Sequence, residues 1–167
     1  MEKNWLEVYI GMGSNLQNPL WQVQTAIHRL AALPSSKLLA VSTLYWSKPL
    51  GNKLQPDYVN GVARMQSGLT PKALLLQLQA IEQEQGRVRS GERWPSRSLD
   101  LDILLYGNEC IQESDLTIPH PGIAKRAFVL LPLLELNENL SVPGLGALLK
   151  LKSNFSESQL RPVKTHG

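Results

Sequence analysis

The chain has one cysteine, Cys110, in 167 residues. A lone cysteine closes no internal disulfide and builds no cysteine-based metal site, so a reducing compartment follows. Long apolar runs are also missing. No segment approaches the ~20 apolar residues of a membrane-spanning helix. The opening MEKNWLEVYIG carries neither the apolar core nor the cleavage site of a secretion signal. These absences predict a soluble, cytoplasmic protein. Charge of one sign is scarce too: 17 Lys and Arg against 14 Asp and Glu leave a net charge of +3. That balance does not announce a nucleic-acid binder, although it suits a polyanionic ligand if the positive charge is clustered. There is no G-x-x-x-x-G-K-[ST] run, which excludes a P-loop. GMGSN at residues 11–15 has two glycines of a dinucleotide turn, but Leu16 fills the third glycine position. No internal repeat or low-complexity tract is present.

What remains is an ordinary globular composition, 43% apolar and 19% charged, which sets disorder aside. Residues 1–167 are expected to form one domain around one core. Leu6 to Met12 reads as a first strand ending in glycine. Asn18 and Pro19 supply an N-cap and a first helical position, and Leu20, Val23, Ile27 and Leu30 recur at helical spacing until Leu33-Pro34. Lys37 to Trp46 reads as a second strand. KPLGNKLQPD, residues 48–57, is a loop. Tyr58 to Gln66 reads as a third strand. A second helix starts at Thr70-Pro71, buries Leu74, Leu78 and Ile81, and stops at Gly86. RVRSGERWPSRS, residues 87–98, is a basic polar loop, and Leu99 to Tyr106 is a fourth strand. Residues 121–136 read as partly helical, interrupted or bent at Pro132. The last twenty or so residues are weakly patterned. The order strand, helix, strand, strand, helix, strand predicts an α+β fold of the ferredoxin-like split βαβ type. Its single mixed or antiparallel sheet would carry helices on one face.

Chemistry concentrates around RSLDLDILLYG, Arg97 to Gly107. On a strand, residues two apart point the same way. Asp100 and Asp102 therefore project side by side, while Leu99, Leu101 and Ile103 turn into the core. Two adjacent carboxylates repel unless a cation lies between them or one is protonated. Oxygen ligands of this kind suit Mg²⁺, which takes one or two carboxylates and completes its shell with water and phosphate oxygens. The other reading is a solvated polar strand face. Arg87, Arg89, Arg93 and Arg97 precede the pair within eleven residues. Arginine forks match phosphate oxygens, so the combination favours phosphoryl chemistry over a merely solvated loop salt-bridged to Glu84 or Glu92. Trp94 either packs on the body of the protein or closes over a flat ligand. Tyr58 and Asn60 share a strand face and pair an aromatic platform with a donor–acceptor amide, which suits a planar heterocycle. His120 is fixed between two prolines, to contact phosphate or to cap a turn.

These stretches resemble one family. YIGMGSNL, YWSKPLG, QPDYVNG, IEQEQGRVR, ERWPSRSLDLDILLYG and LTIPHPGIAKRAFVLLPL follow the order of the 6-hydroxymethyl-7,8-dihydropterin pyrophosphokinases over residues 8–135. The resemblance implies transfer of pyrophosphate from ATP to the pterin hydroxymethyl group, leaving AMP, in folate biosynthesis. It implies two Mg²⁺ ions held by Asp100 and Asp102. It assigns Arg87 and Arg97 to the triphosphate and its transfer, and Arg89 and Trp94 to a loop that seals the site. Glu82, Ile103, His120 and Arg126 match positions around ATP, as do Arg89 and Trp94. Ser47, Leu50, Tyr58, Asn60, Trp94 and Phe128 match positions around the pterin. GMGSN becomes scaffold at the end of the first strand. The partners implied are ATP and the hydroxymethyldihydropterin, with no nucleic acid and no membrane, acting on a monomer. The family often has Trp-Gly-Pro-Arg where this chain has Trp94-Pro95-Ser96-Arg97, a proline at Lys48, and Gly-Asp after GSNL. A ferredoxin-like RNA-binding module is the competing reading. It lacks an RNP-type aromatic run, and paired carboxylates would repel RNA phosphates. A paralogue that binds pterin without transferring is disfavoured because every matched charged residue is present.

Overall fold

The computed structural model describes residues 5–16, 18–48, 57–87, 99–156 and 160–164, without the side chain of Arg87. In chain order the elements are β1 (Leu6–Ser14), α1 (Pro19–Ala31), β2 (Ser36–Val41), β3 (Tyr45–Ser47), β4 (Tyr58–Ser67), α2 (Pro71–Arg87) and β5 (Asp100–Tyr106). The hairpin β6 (Ile111–Glu113) and β7 (Leu116–Ile118) follows, then α3 (Ala127–Leu136) and a second hairpin, β8 (Ser141–Val142) and β9 (Gly146–Ala147). A 3₁₀ helix (Leu148–Asn154) and β10 (Arg161–Pro162) are the last elements among the described residues. The main sheet has the order β10-β3-β4-β1-β5, with β2 also paired to β4, and each of these pairings is antiparallel.

The sheet is covered on both faces. On one, Val8, Ile10 and Met12 of β1 pack against Val23, Ala26 and Leu30 of α1 and Leu74, Leu78 and Ile81 of α2. This is the helical face that apolar periodicity predicts. On the other, Tyr9, Val62, Leu104 and Leu105 pack against Ile123 and against Val129, Leu130, Leu133 and Leu134 of α3, with Leu148 from the 3₁₀ helix. The expectation of helices on one face is therefore corrected. α3 is apolar nearly all round, AFVLLPLLEL, so it has no polar stripe to signal which side it covers. Pro132 sits inside α3 without ending it.

Other boundaries move for local reasons. The stretch read as one strand, Lys37–Trp46, is two strands, broken at Ser42. There the Ser42 N–H donates to the Val62 carbonyl, and the Ser42 hydroxyl accepts from the Val62 N–H, both at 2.9 Å. A side chain thus takes a place in the ladder and turns the strand. Gly86 does not stop α2, which continues to Arg87. The residue before it, Gln85, is buried and donates to the Gln22 side chain of α1 at 2.8 Å, which holds this end of α2 down. Asn18 precedes α1 in a left-handed conformation (φ 61°) and makes no side-chain cap bond. Glu84, considered as a loop-arginine partner, is instead bonded to Arg29 of α1. Alongside the main sheet stand two separate hairpins, rather than one sheet alone.

Leu130 is fully buried at the centre of the α3 cluster. Leu130→Ala is expected to lower stability by about 2–5 kcal/mol in urea unfolding. A loss under ~1 kcal/mol would mean that α3 is not part of the cooperative core.

Candidate functional site

Strand register builds the site. Residues directly opposite in an antiparallel pair share a face. Gly13 of β1 lies between Asn60 of β4 and Asp100 of β5, and Gly11 lies between Val62 and Asp102. The central strand thus presents no side chain at the two positions flanked by the carboxylates and by Asn60. β1 runs two residues past its expected end, and this extension carries Gly13 into the sheet. The result is a trough floored by Gly11 and Gly13 and left open where the α3 cluster ends. A cavity of about 220 Å³ occupies it, walled by Lys48, Tyr58, Asn60, Asp100, Asp102, His120, Arg126 and Phe128, among others.

One wall is neutral and hydrogen-bonding. Asn60 is 6% exposed, and its Oδ1 accepts a short hydrogen bond from the Ser47 hydroxyl. That bond fixes the amide orientation and turns Nδ2 toward Gly13, where an added Cβ would stand only 2.9 Å away. Tyr58 of β4 and Phe128 of α3 supply aromatic surfaces, and the Arg126 guanidinium lies 5.7 Å from the Phe128 ring centroid, a cation–π distance.

The opposite wall is charged. β5 alternates as expected over Asp100–Ile103, with Leu101 and Ile103 buried toward the helices and Asp102 half-exposed in the trough. A bulge then interrupts the pairing with β1, leaving Leu104 outside the register. The Leu104 carbonyl accepts from the backbone N–H of His120 at 3.0 Å and so brings the histidine to the cavity. The His120 ring is oriented further by Gly122, whose N–H donates to Nδ1 at 2.9 Å. A side chain at Gly122 would crowd both the His120 ring and Arg126, at 3.1 and 3.2 Å. With Nδ1 accepting, a neutral ring carries its proton on Nε2, the nitrogen 3.9 Å from Asp102 Oδ2. Burial lowers the His120 pKa from its usual value; Asp102 opposes the shift and Arg126 adds to it.

The structure therefore brings Asn60, Tyr58, Phe128, Asp100, Asp102, His120 and Arg126 around one cavity, with Ser47 directly behind Asn60. It does not bring in the side chain of Ile103, which is buried on the other face. Glu82 lies on α2 and accepts from the Leu101 N–H at 2.8 Å, at the outer edge of β5. Leu50, Arg89, Arg93, Trp94, Arg97 and the side chain of Arg87 lie outside the described residues. Sequence reading missed Gly11 and Gly13 as the cavity floor and Lys48 as part of its wall. The glycines become recognisable only once β1 is placed between β4 and β5. A second hollow of about 440 Å³ lies between α3 and the C-terminal segment, but its Glu135 carboxylate is already committed to Thr43 and Tyr45.

Among the described residues no group of three or more His, Cys, Asp and Glu is gathered to hold an ion alone. The donor set in the trough is a carboxylate pair. It fits a hard cation that takes most of its oxygens from water or a ligand.

The family profile of 7,8-dihydro-6-hydroxymethylpterin-pyrophosphokinase matches residues 9–138. The chain belongs to that family. The 2-amino-4-hydroxy-6-hydroxymethyldihydropteridine pyrophosphokinase of Haemophilus influenzae is 46% identical over 93% of this chain and 96% of its own length. The Pseudomonas aeruginosa protein of the same name is 50% identical over 81% of this chain and 83% of its own. Among solved structures, a triple mutant of Plasmodium falciparum HPPK-DHPS superposes with a TM-score of 0.78 at 12% identity. It spans 98% of this chain and 48% of that one, a likeness of fold alone. Among the described residues no helix is long and apolar enough to cross a membrane.

Burial outweighs the pull of Asp102 on His120 and lowers its pKa. The His120 ring signal followed by NMR in the ligand-free protein is expected to titrate below pH 6.5. A midpoint at or above 6.5 would mean that Asp102 outweighs burial.

Proposed function

We propose that the protein transfers pyrophosphate from ATP to 6-hydroxymethyl-7,8-dihydropterin, giving AMP and the pterin diphosphate in folate biosynthesis. The observation that carries this reading is a single cavity with two chemically different walls, in a chain of the pyrophosphokinase family. The neutral wall suits the pterin: Tyr58 and Phe128 offer ring faces, and the oriented Asn60 amide offers hydrogen bonds to an edge with several nitrogens. Ser47 serves pterin recognition through its bond to Asn60, and Leu50 is assigned to the same recognition by the family resemblance.

The charged wall suits the triphosphate. His120 and Arg126 contact phosphate oxygens, His120 through its Nε2 proton and Arg126 through its guanidinium. Arg87 and Arg97 assist the transferring group, and Arg89 and Trp94 close over the ligands. Ile103 contributes from its main chain on the outer edge of β5, and Glu82 supports that edge from α2. Asp100 and Asp102 would hold Mg²⁺, two ions with ATP, and the bound metal would lower the phosphate charge that repels the incoming hydroxyl oxygen. The pterin oxygen attacks the β-phosphorus in line, and its proton passes to solvent. The bond from that phosphorus to the AMP oxygen breaks. Holding the two substrates against one trough also removes the entropy of bringing them together.

The same reading takes residues 1–167 as one domain of a cytoplasmic monomer. The strand order β5-β1-β4, continued by β2 and β3, supports the ferredoxin-like description.

Incubation with Mg-ATP and hydroxymethyldihydropterin is expected to yield AMP and no ADP; ADP would indicate ordinary phosphoryl transfer and sink the proposal. Asp100→Asn and Asp102→Asn keep side-chain shape and remove the charge. Each is expected to slow AMP formation by at least about 10²-fold, the scale of losing one preorganised electrostatic group. Retention of more than roughly a tenth of the activity in both would remove the metal assignment.

A further inference from the structure

The C-terminal segment lies beyond the family match, which ends at residue 138, yet its last strand lies against the neutral wall of the site. We propose that β10 positions the pterin-recognition edge of the cavity, acting through Arg161. The proposal rests on the reading that Tyr58 and Asn60 receive the pterin.

β3 is only three residues long, and it carries Ser47, whose hydroxyl sets the Asn60 amide. A strand this short has little means of holding its own register. Three attachments hold it. At its entrance, Glu135 of α3 accepts from the Thr43 N–H at 2.6 Å, the Thr43 hydroxyl at 2.8 Å and the Tyr45 hydroxyl at 2.7 Å. Along its inner edge it pairs with β4, Ser47 opposite Tyr58 and Tyr45 opposite Asn60. Along its outer edge β10 pairs with it, Arg161 opposite Trp46 and Pro162 opposite Tyr45, and the Val163 N–H donates to the Leu44 carbonyl at 2.8 Å. Leu160 and Val163 on either side of β10 are buried and anchor it.

Arg161 adds a link that the ladder alone does not provide. Its Nη2 lies 2.5 Å from Oδ2 of Asp57, the residue immediately before Tyr58. The guanidinium thus reaches from the outermost strand past β3 to the residue that precedes β4. It ties together the strand that bears Ser47 and the strand that bears Tyr58 and Asn60. Both partners are partly open to solvent, 63% and 34% exposed. Such a pair adds little to global stability. Its contribution is local: it holds the spacing between Ser47 and Tyr58, on which the pterin wall depends. Neither Arg161 nor Asp57 lines the cavity.

The test uses the full chain and measures AMP formation, varying pterin and ATP separately, alongside the thermal midpoint. Arg161→Gln and Asp57→Asn are each expected to raise KM for the pterin by roughly 2–5-fold, the size an exposed ion pair allows. kcat, KM for ATP and the thermal midpoint are expected to stay at wild-type values. The reversed pair, Asp57→Arg with Arg161→Asp, is expected to recover most of the pterin KM. An unchanged pterin KM in both single variants overturns the proposal. So does a parallel shift of the ATP KM and the midpoint, which would make the link merely structural, or a reversed pair no better than the singles. Absence of AMP from the wild-type protein overturns the functional reading as well, whereas normal wild-type turnover with normal variants overturns only the role of Arg161.

Discussion

The site depends on one constraint: the central strand must stay hydrogen-bonded on both sides while presenting no side chain at two alternate positions. β1 meets it with Gly11 and Gly13. A Cβ at Gly13 would stand 2.9 Å from the Asn60 amide nitrogen, and one at Gly11 would stand 3.3 Å from Leu104. Glycine in a strand costs conformational entropy. Here the long pairings with β4 and β5 offset it, because β1 is paired from Leu6 to Ser14 on one side and, across one bulge, from Val8 to Gly13 on the other. The sheet is therefore hollowed without being broken. Tyr9, two residues before Gly11 on the same face, is already under the α3 cluster. The boundary between core and cavity falls between those two residues.

The two walls of the trough obey different electrostatics. Asn60 and Ser47 are buried and neutral, so their bond is the kind that a dry environment strengthens and orients. Asp102 is 52% exposed, and water moderates its repulsion with Asp100, two residues away on the same face of the strand. Arg126 and Lys48 supply positive charge at the rim. His120 lies between these regimes. It is near enough to a carboxylate to be drawn toward protonation, yet buried enough that its pKa falls. The net fall weakens the tendency of His120 to pair with Asp102 as a cation.

Strand alternation made the aspartate pair legible because β5 is regular from Asp100 to Ile103. One residue later it failed: the bulge puts Leu104 and Leu105 into the same cluster, a departure that no period-two pattern contains. The helices packed against the first face were legible from their apolar stripes, whereas the side covered by α3 was not, because α3 has no stripe. The break at Ser42 depends on a hydroxyl substituting for backbone in the ladder. That becomes visible only when β2 and β4 are adjacent. The same holds for the site. Tyr58 with Asn60 could be placed on one face from sequence, but the Ser47 bond that orients Asn60 needs the β3–β4 register. The glycines of GMGSN looked like scaffold for the same reason: a floor is defined by what stands on either side of it.

A carboxylate pair on a sheet's edge strand raises a further question, since edges are where strands fray and mispair. β5 is such an edge. Its outward-facing N–H at Leu101, the residue between the two aspartates, is bonded to the Glu82 carboxylate. That single bond satisfies an edge donor, excludes a foreign strand at that point and fixes the backbone from which Asp100 and Asp102 both project. At the other side of the site, β10 covers the outer edge of β3 in the same sense. Both strands that carry the outer parts of the two walls would otherwise be free edges, and each is closed by a partner distant in sequence. The placement of both walls of the cavity therefore rests on these edge closures as much as on the residues that face it.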